Sequence, residues 1–149
     1  MSDTPLTDPI ERVRSSFARQ GLMATLGAQI VHVAPGEVDI ALVPSPAVGQ
    51  QHGFVHAGAV AAIADSAAGY AALTTMRPEA GVLTAEFKIN LLAPAGGDRL
   101  VARGRVVKAG RTLTLAQTEV VAESNGTTKL VAVLTATLMT IAGRDGIAD

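Results

Sequence analysis

Between positions 81 and 91, apolar and polar side chains alternate, with Leu83, Ala85, Phe87, Ile89 and Leu91 set against Thr84, Glu86, Lys88 and Asn90. A period of two predicts a strand with one buried and one polar face. Residues 100–107, 112–123 and 129–141 read as three more strands. They are separated by Pro94 to Asp98, by Ala109-Gly110 and by Asn125-Gly126, all rich in turn formers. Upstream, residues 27–33 and 37–43 predict a hairpin around Pro35-Gly36. Two stretches follow a helical period instead. In residues 9–20, Ile10, Val13 and Phe17 share a face behind an Asp8 cap and a Pro9 first turn. Residues 57–75 are apolar almost all round.

A helix with no polar face must be enclosed, and here only sheet is available to enclose it. The expected fold class is therefore α+β, an antiparallel sheet wrapped around one long central helix. No linker or repeat divides the chain, so residues 1–149 are expected to form a single domain. Its core spans about 20–141, with a short helix in front at about 9–20. The tail, residues 143–149, is expected to fray.

Composition narrows the function. The 12 basic residues are scattered and the net charge is -1, so no basic stripe marks a nucleic-acid partner. No cysteine is present, which excludes disulfides, thiolate metal sites and cysteine nucleophiles. The first 16 residues contain no apolar run of signal-peptide length. Residues 57–75 approach the length of a membrane span, but they are built of Ala and Gly around one charge. A cytoplasmic protein with no membrane partner is expected.

That one charge is Asp65. An unpaired carboxylate on an apolar helix needs a partner, a raised pKa or a use. No Lys or Arg stands three or four residues away to pair with it. The bland alternative is that Asp65 caps a neighbouring element or pairs with a basic residue across an interface. At the start of the same helix, the N–H groups of Ala57 and Gly58 lack intrahelical acceptors and face the positive end of the dipole. Such a place suits a developing oxyanion. His56 precedes the helix and is expected to orient the loop or touch substrate. His52 and His32 read as structural. Gly53 breaks any helix between His52 and His56, so no metal site is expected, nor any cofactor. Ser66 lies in no nucleophile elbow, and no phosphate-binding glycine loop is present.

Gln50-Gln51-His52-Gly53-Phe54-Val55-His56-Ala57-Gly58, followed by Asp65, resembles the PaaI-like branch of the hotdog acyl-CoA thioesterases. That signature is close to N-x-x-G-x-x-H-G-G followed by a helical Asp. The strand order agrees over residues 20–141. The resemblance implies that Asp65 acts as general base on water, or as nucleophile through an acyl anhydride. It implies that the Ala57 N–H holds the thioester carbonyl, that Gln50 positions carbonyl or water, and that Thr84 binds water. Gly110 and Arg111 match the turn near the nucleotide end of coenzyme A, although a solvated hairpin explains Arg111 equally well. It also implies a homodimer in which Asp65 and Thr84 of one subunit face Gln50 and Ala57 of the other, with two such dimers forming a homotetramer. Two departures stand out. Gln50 replaces the usual Asn, as in some 4-hydroxybenzoyl-CoA thioesterases, and Ala57 replaces the first Gly.

Two other readings share the fold. One is a hotdog acyl-CoA hydratase or dehydratase, which would release no thiol. The other is a non-catalytic acyl-CoA binder or sensor, which would not need Asp65. Aliphatic and aryl acyl groups both remain open.

Overall fold

The computed structural model describes residues 8–149, and the leader-free expectation for the first 16 residues therefore falls in part outside them. The order of elements is α1 (Pro9–Ala18), α2 (Gly21–Leu26), β1 (Gln29–Ala34), β2 (Glu37–Leu42), α3 (Ala57–Leu73), β3 (Gly81–Leu91), β4 (Arg99–Ala109), β5 (Leu113–Ser124) and β6 (Thr127–Ile141). All six strands join one antiparallel sheet in the order β1-β2-β4-β5-β6-β3. The sheet wraps around α3, which touches every strand from β2 to β6. This is the hotdog fold. Asp8 accepts from the Ile10 N–H and starts α1, as the sequence predicts. The short α2 was not foreseen. It has a single buried residue, Met23, too few to set a helical pattern.

Small side chains on α3 let the sheet approach the helix backbone. Ala64, Ala67, Ala68, Ala71 and Ala72 are fully buried, and the Thr118 hydroxyl donates to the Ala64 carbonyl across 2.9 Å. On β4, Gly104 lies so close to the Ala67 carbonyl that a Cβ would overlap it. Both atoms there are backbone, so neither can move aside cheaply. Gly104→Ala is expected to destabilise the fold by about 2 kcal/mol, read as a lower urea midpoint with an unchanged slope.

Two expectations fail. The tail does not fray. Asp149 accepts from the Ser16 hydroxyl (2.7 Å) and from the Val82 N–H (2.9 Å), and its backbone oxygen accepts from Arg12 Nε. Buried Arg12 also donates to the carbonyls of Arg77 and Ala80, stapling α1 to the connection after α3. The uninterrupted alternation of β3 is the second failure. Thr84 pairs with Leu138 and Glu86 with Thr137, so Ala85 is an extra residue, a β-bulge. Beyond it, Phe87, Ile89 and Leu91 share the helix-facing side with Thr84, while Leu83 turns to the outer face opposite Met139.

Candidate functional site

The bulge gives β3 its chemical use. Had the strand continued in register, Thr84 and the apolar residues after it would have faced opposite sides of the sheet. Instead Thr84 points at α3 and donates its hydroxyl hydrogen to Asp65 Oδ1 at 2.8 Å. Asp65 is partly buried, and its carboxyl is held above the usual carboxylate range. Burial is the larger cause, and the Thr84 hydrogen bond opposes it. No basic residue of its own chain pairs with Asp65 among the described residues.

A cavity of about 120 Å³ opens beside Asp65, walled also by Gln20, Ser66, Gly69, Tyr70, Val82, Thr84 and Asp149. It is polar and large enough for water. Around it runs a chain of hydrogen bonds: the Ser66 hydroxyl donates to Gln20 Oε1 (3.0 Å), Gln20 Nε2 donates to the Tyr70 hydroxyl (3.1 Å), and Tyr70 meets Ser16 (3.2 Å). Gln20 and Tyr70 were missed in the sequence because the first lies at a helix end and the second reads as core. No spacing ties either to Asp65.

The N-terminus of α3 forms a separate centre. His56 is its N-cap, and the His56 Nδ1 accepts the Gly58 N–H at 2.7 Å. Gly58 is thereby corrected from a free donor to a capped one. The Ala57 N–H has no acceptor among the described residues and stays exposed. It borders a cavity of about 680 Å³ whose walls include Gln50, His56, Phe54, Val60, Leu91 and Val131. The loop leading there is held by backbone bonds, with Gln50 N–H to the Phe54 carbonyl (2.8 Å) and His56 N–H to the Val48 carbonyl (2.8 Å). Gln50 Oε1 accepts from the His52 N–H, so only its amide NH₂ is free to donate outward.

These two centres do not meet within one chain. Ala57 and Asp65 are eight residues apart on one helix, about 12 Å along its axis. A carbonyl oxygen held at Ala57 is out of reach of a base at Asp65. Gly110 and Arg111 are exposed in the β4–β5 turn and line neither cavity.

The sequence profile of the thioesterase superfamily matches residues 52–129, a span that holds His56, Ala57, Asp65 and Thr84. A thioesterase family protein of Silicibacter pomeroyi is 50% identical and superposes with a TM-score of 0.89 over 91% of this chain and 99% of its own. PaaI of E. coli, from the phenylacetic acid degradation operon, shares the fold at TM-score 0.82 and 19% identity, with 93% and 96% covered. A 1,4-dihydroxy-2-naphthoyl-CoA hydrolase of Listeria monocytogenes is 28% identical over 62% of this chain and 75% of its own. An esterase-named protein of Halobacterium salinarum is 30% identical over 76% and 78%. With the profile covering more than half of the chain and a 50% identical thioesterase family protein sharing the fold over 91% of it, this protein belongs to the thioesterase superfamily.

Proposed function

We propose that the protein hydrolyses acyl-CoA thioesters to the free acid and coenzyme A. The observation that carries this reading is Asp65, a carboxylate raised by burial, bonded to one hydroxyl and open to a cavity of water size. Thioester hydrolysis needs an activated water or a direct nucleophile, and a polarised carbonyl. It needs no strong acid, because a thiolate leaves readily. Asp65 takes the proton from a water that attacks the carbonyl carbon, or attacks that carbon itself to form an anhydride that water then cleaves; in either case the C–S bond breaks and coenzyme A leaves as the thiolate. Thr84 holds the water and orients the carboxylate. The Ala57 N–H receives the developing oxyanion at the positive end of α3. The Gln50 NH₂ offers a second donor, and His56 holds the turn by capping Gly58. No feature places His56 beside an acyl β-carbon, which disfavours a hydratase.

Because Asp65 and Ala57 of one chain are about 12 Å apart, each complete site takes Asp65 and Thr84 from one subunit and Gln50 and Ala57 from a second. A homodimer is the minimal active unit in this reading, and pairs of dimers form a tetramer. The test is thiol release from short, medium and aryl acyl-CoAs. Equal amounts of thiol and free acid are expected, with kcat/KM falling on the acid side as Asp65 is protonated, at a pH above the ordinary carboxylate range. Consumption of an enoyl-CoA without thiol release indicates the hydratase, and binding without turnover indicates the sensor.

A further inference from the structure

We propose that residues 144–149 form the far wall of the acyl pocket, and that this wall restricts the substrate to short aliphatic acyl-CoAs. The inference rests on the hydrolase reading above and names the acyl class for that same site.

The cavities set the direction of the acyl group. In the shared site the thioester carbon lies between Asp65 of one subunit and the Ala57 N–H of the other. Coenzyme A is the larger part and must reach solvent, so it takes the roomy cavity of about 680 Å³ that borders Ala57. The acyl group is left with the cavity of about 120 Å³ beside Asp65. A cavity that takes benzene measures about 150 Å³. With one water held at Thr84, about 90 Å³ remains, which fits a chain of about two to four carbons but no phenyl ring.

What ends this cavity is the tail. A second cavity, of about 340 Å³, lies behind it and is walled in part by Leu83, Ile147 and Ala148. Gln20, Tyr70, Val82 and Asp149 border both cavities and so form the partition between them. The tail is pressed onto the start of β3 at Gly81. A Cβ on Gly81 would stand 2.8 Å from Ile147 Cγ2 and 3.3 Å from Asp149 Oδ2, so only glycine leaves room for this wall. Arg12 Nε then fixes the backbone oxygen of Asp149 at 3.1 Å.

The polar groups of the partition are already engaged with one another. Ser16 has a single hydroxyl hydrogen and gives it to Asp149 Oδ1, so Tyr70 is the donor in the Tyr70–Ser16 bond. Four hydrogen bonds thus run one way, from Ser66 through Gln20, Tyr70 and Ser16 to the Asp149 carboxylate. Each bond in such a chain strengthens the next. A wall whose polar groups are paired selects by size.

The test measures thiol release from acetyl-, butyryl-, octanoyl- and phenylacetyl-CoA, and calorimetric binding of the S-butyl and S-octyl thioethers of coenzyme A. The full chain is expected to favour butyryl over octanoyl and phenylacetyl by at least about tenfold in kcat/KM. Ending the chain after Gly143 opens one cavity into the other, and the butyryl-to-octanoyl ratio is expected to fall at least about tenfold. Gln20→Ala is expected to move it the same way from the side of α1. Because both changes remove supporting bonds, Gly69→Ala supplies the opposite one. Gly69 lines the pocket, and a Cβ there meets only Leu138 Cδ1 within 4 Å, at 4.0 Å, so the pocket shrinks while the packing is kept. This variant is expected to shift preference from butyryl to acetyl by about tenfold. A full chain faster on octanoyl or phenylacetyl overturns the proposal, as does a chain-length preference that neither opening the wall nor Gly69→Ala changes. The thioethers cannot be hydrolysed, so tighter binding of S-butyl than S-octyl without any thiol release removes the hydrolase reading alone. Thiol release with a preference indifferent to these variants removes the wall alone.

Discussion

Asp65→Asn is expected to lower kcat by about a hundredfold or more while leaving the protein as stable as before or more so at neutral pH. Asn keeps the shape and still accepts from the Thr84 hydroxyl, so the local geometry survives. What disappears is the base or nucleophile. The stability half follows from linkage. The folded pKa of Asp65 is raised, so the native state binds this proton more tightly than the unfolded chain. That stabilisation is complete below the unfolded pKa and is lost as pH rises through the folded one. At neutral pH the ionised, partly buried carboxylate is a net cost, and the amide removes it. Calorimetry should therefore show an equal or higher Tm for the variant at pH 7, with the advantage shrinking below the ordinary carboxylate range. A lower Tm at pH 7 would mean that lost activity reflects lost structure. Full activity would remove Asp65 from the mechanism.

Ala57→Pro carries the second large effect, about a hundredfold to a thousandfold in kcat, the usual consequence of losing one oxyanion donor. Proline deletes a single N–H and otherwise suits this position. Ala57 is the first residue of α3, where proline is well tolerated. His56 already has extended backbone angles (φ -60°, ψ 138°), which the residue before a proline prefers. The His56 cap on Gly58 is untouched. Ala57→Gly, which keeps the N–H, is expected to retain most of the activity. If proline and glycine behave alike, the oxyanion is held elsewhere.

The broad architecture was readable because each element carried a strong periodic signal or none. Alternating strands and one helix without a polar face leave few arrangements, and Asp65 stood out as the single charge among apolar neighbours. The failures have equally specific causes. The bulge at Ala85 was invisible because Leu83 and Ala85 are apolar and continue the alternation whichever face they occupy. The His56 cap depends on a ring nitrogen reaching two residues ahead, and histidine is not among the usual capping residues. The tail looked frayed because Gly143 and Gly146 suggest freedom, yet the Asp149 carboxylate finds donors at Ser16 and Val82 that no local pattern announces. Thr84 was assigned by resemblance, and only the bulge explains how it reaches Asp65.

In the proposed shared site, Asp65 and Ala57 come from different subunits. Its most direct test is a mixed dimer of one Asp65→Asn chain and one Ala57→Pro chain, carrying different tags and purified through both. One of its two sites then holds both substitutions and the other holds neither. About half of the wild-type activity per dimer is expected from two nearly inactive parents. Activity no higher than that of the parents would contradict it, placing both groups within a single chain or outside the chemistry.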